Sequence, residues 1–198
     1  SGSFTEGRIA AKAAVKYVME KGKGQPDVSD SEIADLKTEI YRPLEHYQVY
    51  RNEIVAGTVS PSYILPIHGL QRLEKIMDEY AGGVSTFYEM NEERLAAALK
   101  HLNKVKPQVE YLLARDWHQL MLAHEVIDRL DVAEVLVHHL MYRKETRWPG
   151  FQTRLDYPER DDRHWLKFVN SYRDKKSGQI VMVTRPYEQV VPGDRYLP

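Results

Sequence analysis

Residues 109–144 read VEYLLARDWHQLMLAHEVIDRLDVAEVLVHHLMYRK. Leu113, Trp117, Leu120, Met121, Ile127, Leu130, Leu136, Val137 and Leu140 recur there at helical spacing. An apolar stripe of that period, sustained over so many turns, predicts a long helix buried along one face. Asp131 followed by Glu134 has the form of a capping box that could restart the helix partway. Upstream, Asn91 precedes Leu95, Ala98, Leu99 and Leu102, which predicts a helix that Pro107 interrupts. Ser60-Pro61 reads as N-cap and first residue of another helix, running to about Tyr80 and stopping at Gly82-Gly83. A further helix starts near Ser29 or Asp30 with Ile33, Leu36, Ile40 and Leu44 on one face, and Pro43 is expected to break or kink it.

The two ends of the chain differ from this helical middle. Ser3-Phe4-Thr5-Glu6 reads as a capping box opening a helix with Ile9, Ala10, Ala13, Ala14, Tyr17 and Val18, small enough to pack closely on a neighbour. Residues 22–28, GKGQPDV, read as a linker. After Arg147, Pro149, Gly150 and Pro158 deny regular helix, and Asp161 or Asp162 caps a short one. Tyr172 to Val191 alternates around Lys176-Ser177-Gly178, which suggests a β-hairpin. The expected fold is mainly α: a helix over 1–21, a linker over 22–28, a helical bundle over 29–146, and a C-terminal segment over 147–198 carrying a small hairpin.

Residues 147–168, RWPGFQTRLDYPERDDRHWLKF, hold five aromatics, four arginines and four carboxylates in 22 positions. Solvated loops rarely keep so many rings, and cores rarely keep so many charges. The mixture fits an interface segment in which Arg–carboxylate pairs and stacked rings fix orientation. Arg147, Arg154 and Arg160 could bind an anionic substrate or pair with Glu145, Asp156 and Glu159, and pairing is the better reading.

Composition excludes several classes. With no cysteine the chain offers no disulfide, no thiolate-held cluster and no thiol nucleophile. A net charge of −1 gives no general attraction to nucleic acid or anionic lipid. No apolar run approaches the ~20 residues that span a bilayer. His118, His124, His138 and His139 lack metal-ligand spacing, and Glu92-Glu93 and Asp161-Asp162 read as helix-start caps. No phosphate-binding glycine loop, dinucleotide fingerprint or nucleophile elbow is present.

A resemblance adds to this reading. Residues 131–147, DVAEVLVHHLMYRKETR, resemble the end of the helical domain in flavoproteins of the succinate dehydrogenase/fumarate reductase class, which reads A-E and then A-L-x-R-x-E-S-R-G. Where the dehydrogenases have R-G-A-H, this chain has Arg147-Trp148-Pro149-Gly150-Phe151, a variant similar to the adenylylsulfate reductase alpha-subunit family. GSFTEGRIAAK, from Gly2, resembles the family's N-S-L-x-x-x-x-x-G-R, departing from it at Phe4 and Gly7.

That resemblance implies a C-terminal part of an FAD-containing subunit interconverting adenylyl sulfate with AMP and sulfite, served by an iron–sulfur beta subunit. It implies that Gly2, Ser3 and Phe4 meet the pyrimidine edge of FAD, where negative charge develops on reduction and a helix start is favourable. It places the family's substrate-binding residues upstream, so no catalytic residue and no metal ligand is assigned here, and a cytoplasmic location is expected. Two other readings stay open: the same domain from a fumarate reductase, succinate dehydrogenase or aspartate oxidase flavoprotein, and a non-catalytic helical interaction domain.

Overall fold

The computed structural model describes residues 2–22, 24, 28–54, 60 and 62–187. The chain divides into two units, Ser1–Ile40 and Tyr41–Pro198. In the first, α1 (Gly2–Lys21) has no buried residue. Ser3 is the second residue of this helix rather than the residue before it, so it does not stand at the N-cap position expected for it. A reciprocal capping pair closes the start of α2 (Asp30–Tyr50): Ser29 N donates to Glu32 Oε2 at 2.8 Å and Glu32 N to Ser29 Oγ at 3.2 Å. Of the break or kink expected at Pro43, no break occurs, and α2 continues through it. Proline removes one helical hydrogen bond, but Pro43 is buried and its carbonyl accepts from Ala114 N at 2.8 Å, so packing retains the helix.

The second unit is built on α3 (Pro66–Tyr80), α4 (Glu92–Val105) and α5 (Trp117–Tyr142). Each contributes a stripe to one core. Leu95, Ala98 and Leu102 of α4 and Leu130, Ala133 and Val137 of α5 stand at spacings of three and four, with Leu73 and Ile76 of α3. Such spacing puts side chains on one helix face. Gly69 brings α3 close to α5, since a Cβ there would sit 3.0 Å from Val126 Cγ1. Gly82 ends the α3 turn at φ +77°, a conformation that side chains disfavour.

Asn91 caps α4 as expected, its side chain accepting from Arg94 N at 2.9 Å. Pro107 falls in a 3-10 turn, Lys106–Tyr111, that follows α4. The long helix begins later than its apolar stripe suggests. Leu112 and Leu113 are extended beside Ile64, with Leu113 N donating to the Ile64 carbonyl at 3.0 Å, and Asp116 then caps α5 through Gln119 N at 2.9 Å. Those leucines are buried through a bridge that helical periodicity cannot distinguish from a helix turn.

Three further expectations change. The helix expected at Ser60-Pro61 starts at Pro66, with Leu65 as N-cap; Pro61 lies outside the described residues. α5 runs through Asp131 and Glu134 without a restart, because both carboxylates face Arg173, and Glu134 also holds Lys106. The hairpin is β3 (Lys167–Arg173) against β4 (Ile180–Pro186), antiparallel, beginning five residues before Tyr172. Its turn lies at Lys176-Ser177-Gly178 as read, closed by Gly178 N to the Asp174 carbonyl at 2.8 Å; Val191 lies outside the described residues. Asp161 caps α6 (Asp162–Trp165). The mainly helical class with a small C-terminal hairpin holds.

Leu95 is completely buried and Val132, on the outer face of α5, is 65% exposed. Leu95→Ala is therefore expected to cost about 3 kcal/mol, and Val132→Ala less than about 0.5. Urea unfolding of the two variants checks the assignment of the α4 face to the core.

Candidate functional site

The interface segment is organised by a carboxylate with no exposure to water. Glu145 follows α5, and its side chain is 0% exposed. It accepts from Arg143 Nη1 at 2.6 Å, Arg147 Nε at 2.8 Å, Arg147 Nη2 at 3.0 Å and Asp161 N at 3.0 Å. Burial alone would raise its pKa. The bonds from Arg147, the Asp161 N–H and Arg143 outweigh that and hold it below the ordinary carboxylate range. Arg143 also reaches the carbonyls of Trp165 and Lys167, and so ties the end of α5 to α6 and β3.

A second guanidinium closes the other side. Arg154 is 2% exposed and grips Asp156 with two bonds of 2.9 and 2.8 Å. It also donates to Glu92 Oε2 at 2.9 Å and to the Leu140 carbonyl. The bond from Arg154 is the main reason that the Asp156 carboxyl titrates below its ordinary range. Asp156 Oδ2 in turn accepts from Glu92 N at 2.9 Å, which satisfies a free donor at the start of α4. Arg154 lies on β2 (Thr153–Arg154), which pairs in parallel with β1 (Glu89–Met90).

Of the pairings expected from sequence, Arg147–Glu145 and Arg154–Asp156 form, whereas Arg160 takes Asp162 rather than Glu159. Glu159 is next to Arg160 in sequence and Asp162 two residues on, and Asp162, at the start of α6, is the one that pairs. Glu92 was legible as a helix-start acid, but nothing local indicates its partner 62 residues away. His139, read as a core or surface residue, bonds Ser171 Oγ at 2.9 Å and so links α5 to β3. Burial, and then the charge of Arg143, pushes its pKa down.

The rings divide into two sets. Trp165 packs edge-on to Tyr142 at 5.7 Å between centroids, and Tyr157 lies under Arg154 at 5.0 Å. Trp148 and Phe151 are 64% and 73% exposed. Beside Phe151 stands Tyr88, which with Phe87 takes a left-handed backbone conformation at φ 61° and 53°. Such conformations cost of order 1–3 kcal/mol and need surrounding structure to hold them. The bond from Thr153 N to the Tyr88 carbonyl at 3.0 Å supplies part of that hold. Between α5 and this segment lies a cavity of about 260 Å³.

Gly2, Ser3 and Phe4 are together in the first turn of α1. No acidic residue belongs to the first turn, but the Glu6 carboxylate reaches back to it, its Oε1 lying 3.8 Å from where a Cβ on Gly2 would sit. Gly2, Ser3 and Phe4 are the residues that the resemblance assigns to one edge of a flavin, where a helix start would offer N–H donors. No glycine-rich dinucleotide fingerprint occurs in the chain, so they supply at most part of such a site. Among the described residues, no group of three or more His, Asp or Glu side chains could hold a metal ion, and no helix is long and apolar enough to cross a membrane.

Residues 70–195 match the family described as fumarate reductase flavoprotein C-term, and the chain belongs to that family. Within it, the chain is a homologue of the C-terminal part of the adenylylsulfate reductase alpha subunit. It is 34% identical over 194 residues to adenylylsulfate reductase subunit alpha of Megalodesulfovibrio gigas, covering 98% of this chain and 29% of the relative. Adenylylsulfate reductase from the hyperthermophile Archaeoglobus fulgidus superimposes with a TM-score of 0.90 at 46% identity, over 98% of this chain and 30% of that one. The same values hold for an adenosine-5-phosphosulfate reductase in complex with sulfite as a covalent adduct. E. coli quinol fumarate reductase shares the fold, with a TM-score of 0.68 at 20% identity over 96% of this chain and 30% of its own. The chain thus spans under a third of the length of these relatives.

The pH dependence of stability tests Glu145. A carboxylate whose folded pKa is depressed adds stability above its unfolded value, about 4.3, and that stability is lost as pH falls through the folded value. Glu145→Gln keeps the shape but leaves Arg143 without its anion and Arg147 with Asp162 alone. It is expected to cost about 3 kcal/mol at pH 7, with the gap to the parent chain narrowing as urea titrations move to acid. A gap independent of pH would mean that the charge of Glu145 does not hold the segment.

Proposed function

We propose that this chain is the C-terminal portion of the FAD-containing subunit of an adenylylsulfate reductase, a flavoprotein oxidoreductase of sulfate reduction that interconverts adenylyl sulfate with AMP and sulfite. The observation that carries the reading is 46% identity to the A. fulgidus enzyme across 98% of the chain, against 20% to a fumarate reductase of the same fold. In this reading residues 1–21 end the FAD-binding domain, 22–28 link it to a helical domain over 29–146, and 147–198 form an interface segment. The partners are the remainder of the flavoprotein subunit and an iron–sulfur beta subunit, in the cytoplasm.

FAD, when bound, supplies two-electron exchange with the sulfur substrate and passage of electrons to iron–sulfur clusters. The residues of this chain do not perform that chemistry. The first turn of α1, at Gly2, Ser3 and Phe4, offers N–H donors and a partial positive charge to the flavin's pyrimidine edge, and so favours its reduced, anionic form. The Glu145 and Arg154 networks fix the segment from Arg147 onward, so that Trp148 and Phe151 are held outward as anchors for the rest of the assembly. Exposed aromatic anchors on a rigid base are where interface energy concentrates.

A chimera tests the assignment directly. With this chain substituted for the corresponding 30% of the A. fulgidus subunit, and the iron–sulfur subunit present, FAD retention and AMP-dependent sulfite oxidation are expected. Full flavin content and assembly without that activity would overturn the reading. The 198-residue chain alone is expected to purify without flavin colour.

The flavin edge has its own test in the same chimera. Gly2 is the first residue of α1, where proline is tolerated, so Gly2→Pro removes one N–H and keeps the helix. A hydrogen bond to a charged group is worth about 1.5–3 kcal/mol. In a two-electron couple that corresponds to a potential lowered by roughly 30–60 mV. Gly2→Ala retains the donor and is expected to leave the potential unchanged. Equal potentials in the two variants would remove Gly2 from the flavin site.

A further inference from the structure

We propose that the outer face of α5, with the adjoining side of α3, is a groove that receives an amphipathic helix with a basic edge, carried by the remainder of the flavoprotein subunit. The proposal rests on the reading of this chain as part of that longer subunit. α5 is apolar around its circumference: Leu130, Ala133 and Val137 are buried in the core, while Val132 and Leu136, outside it, are 65% and 40% exposed. A helix apolar on all sides belongs inside a folded chain, covered on every face. Beside Val132 and Leu136 lie two adjoining cavities of about 590 and 320 Å³, which share these two residues. The first runs along α5 from Asp131 to His139 and meets Arg173 of β3. The second crosses to Leu70, Glu74 and Met77 of α3. From Asp128 to His139 the α5 side is about 16 Å long, or about three helical turns.

The rim selects the partner. Glu74 on α3 and Asp128 on α5 both line the groove and are exposed. Among the described residues, neither side chain has an ion pair or a hydrogen bond. The two guanidinium groups of the rim are already taken, Arg129 by Glu125 and Arg173 by Asp131 and Glu134. Negative charge is therefore left over. It would repel anionic lipid or nucleic acid, and a second copy on a twofold axis would bring one acidic rim against another. An extended segment would lay unpaired backbone N–H and C=O groups on a floor that is helical and apolar. A helix satisfies its own backbone, seats an apolar stripe between α3 and α5, and meets Glu74 and Asp128 with Lys or Arg at its edge. Length indicates the source. The chain covers 29% and 30% of the relatives it matches, so most of such a subunit lies outside it. A helix on the same polypeptide reaches this face at a higher effective concentration than a separate protein does.

The absence of cysteine makes the test direct, because Val132→Cys places a single thiol of this chain on the groove floor. Its reaction with N-ethylmaleimide is followed by peptide mass spectrometry. Reaction is expected to be fast in the isolated 198-residue chain. In the A. fulgidus chimera holding FAD, prepared without the iron–sulfur subunit, it is expected to be at least about tenfold slower. Adding Glu74→Lys and Asp128→Lys, both at exposed positions, is expected to speed reaction in that chimera by about tenfold, since like charges then face across the edge. The same pair is expected to leave the helix content of the isolated chain unchanged. Fast reaction in an FAD-holding chimera overturns the groove as an interface while leaving the family reading intact. A chimera that holds no FAD counts against that reading, and the proposal falls with it. Protection that appears only when the iron–sulfur subunit is added makes a separate protein the occupant and overturns the assignment to the same subunit. Slow reaction in the isolated chain means that this chain, alone or as a second copy, covers the groove, and overturns it as well. Protection that survives the charge reversal overturns the basic edge.

Discussion

The side chain of Glu145 is fully buried, and the geometry around it follows from the need to keep a negative charge in that place. An isolated buried carboxylate would be neutral or would unfold its surroundings. Here two guanidinium groups and one backbone N–H supply four donors, and each comes from a different local structure. Arg143 extends the end of α5, Arg147 opens the segment that follows it, and Asp161 begins α6. The carboxylate thus fixes three pieces of chain relative to one another without an apolar core beneath them. Buried ion pairs of this kind contribute little net stability compared with apolar packing, but removing one partner is costly. In a segment with few aliphatic residues, this is a way of specifying one conformation.

Arg154 does the same for the junction between α4 and α5. Its two-bond grip on Asp156, with a further bond to Glu92, sets the parallel pairing of β1 with β2. That pairing in turn holds Phe87 and Tyr88 in left-handed conformations and stations Phe151 beside them. The outward rings are therefore presented by a rigid base of charge pairs, while Trp165 and Tyr157 are spent on internal packing. A segment dense in both rings and charges can serve stability and association together because the two duties fall to different residues.

How much of this was legible in the sequence depended on whether the cause was local. The stripes of α4 and α5, the Asn91 cap and the turn at Gly178 are decided by residues within a few positions, and they read correctly. Burial of Leu112 and Leu113 misplaced the start of α5, because a bridge to Ile64 buries residues as well as a helix does. Of the break or kink expected at Pro43, the break does not occur, because burial can retain a helix through a missing hydrogen bond. At the site, Arg147 and Arg154 found the carboxylates two residues away, but Glu92, and Ser171 beside His139, could come only from the folded arrangement. The motif around Arg147-Trp148-Pro149-Gly150-Phe151 carried the family, which periodicity alone could not.

The donor satisfied at the start of α4 has a consequence for biosynthesis. Glu92 N finds its acceptor, Asp156, 64 residues later in the chain, and the Glu92 side chain finds Arg154 62 residues later. At the roughly 5–20 residues per second of translation, those 64 residues take about 3–13 seconds to appear. For that interval the first turn of α4 lacks its closing anion, although Asn91, its cap, is already present. The helices of this unit can begin to pair as they emerge, but the clasp that fixes them arrives with one dipeptide-spaced pair, Arg154 and Asp156, late in the order of synthesis.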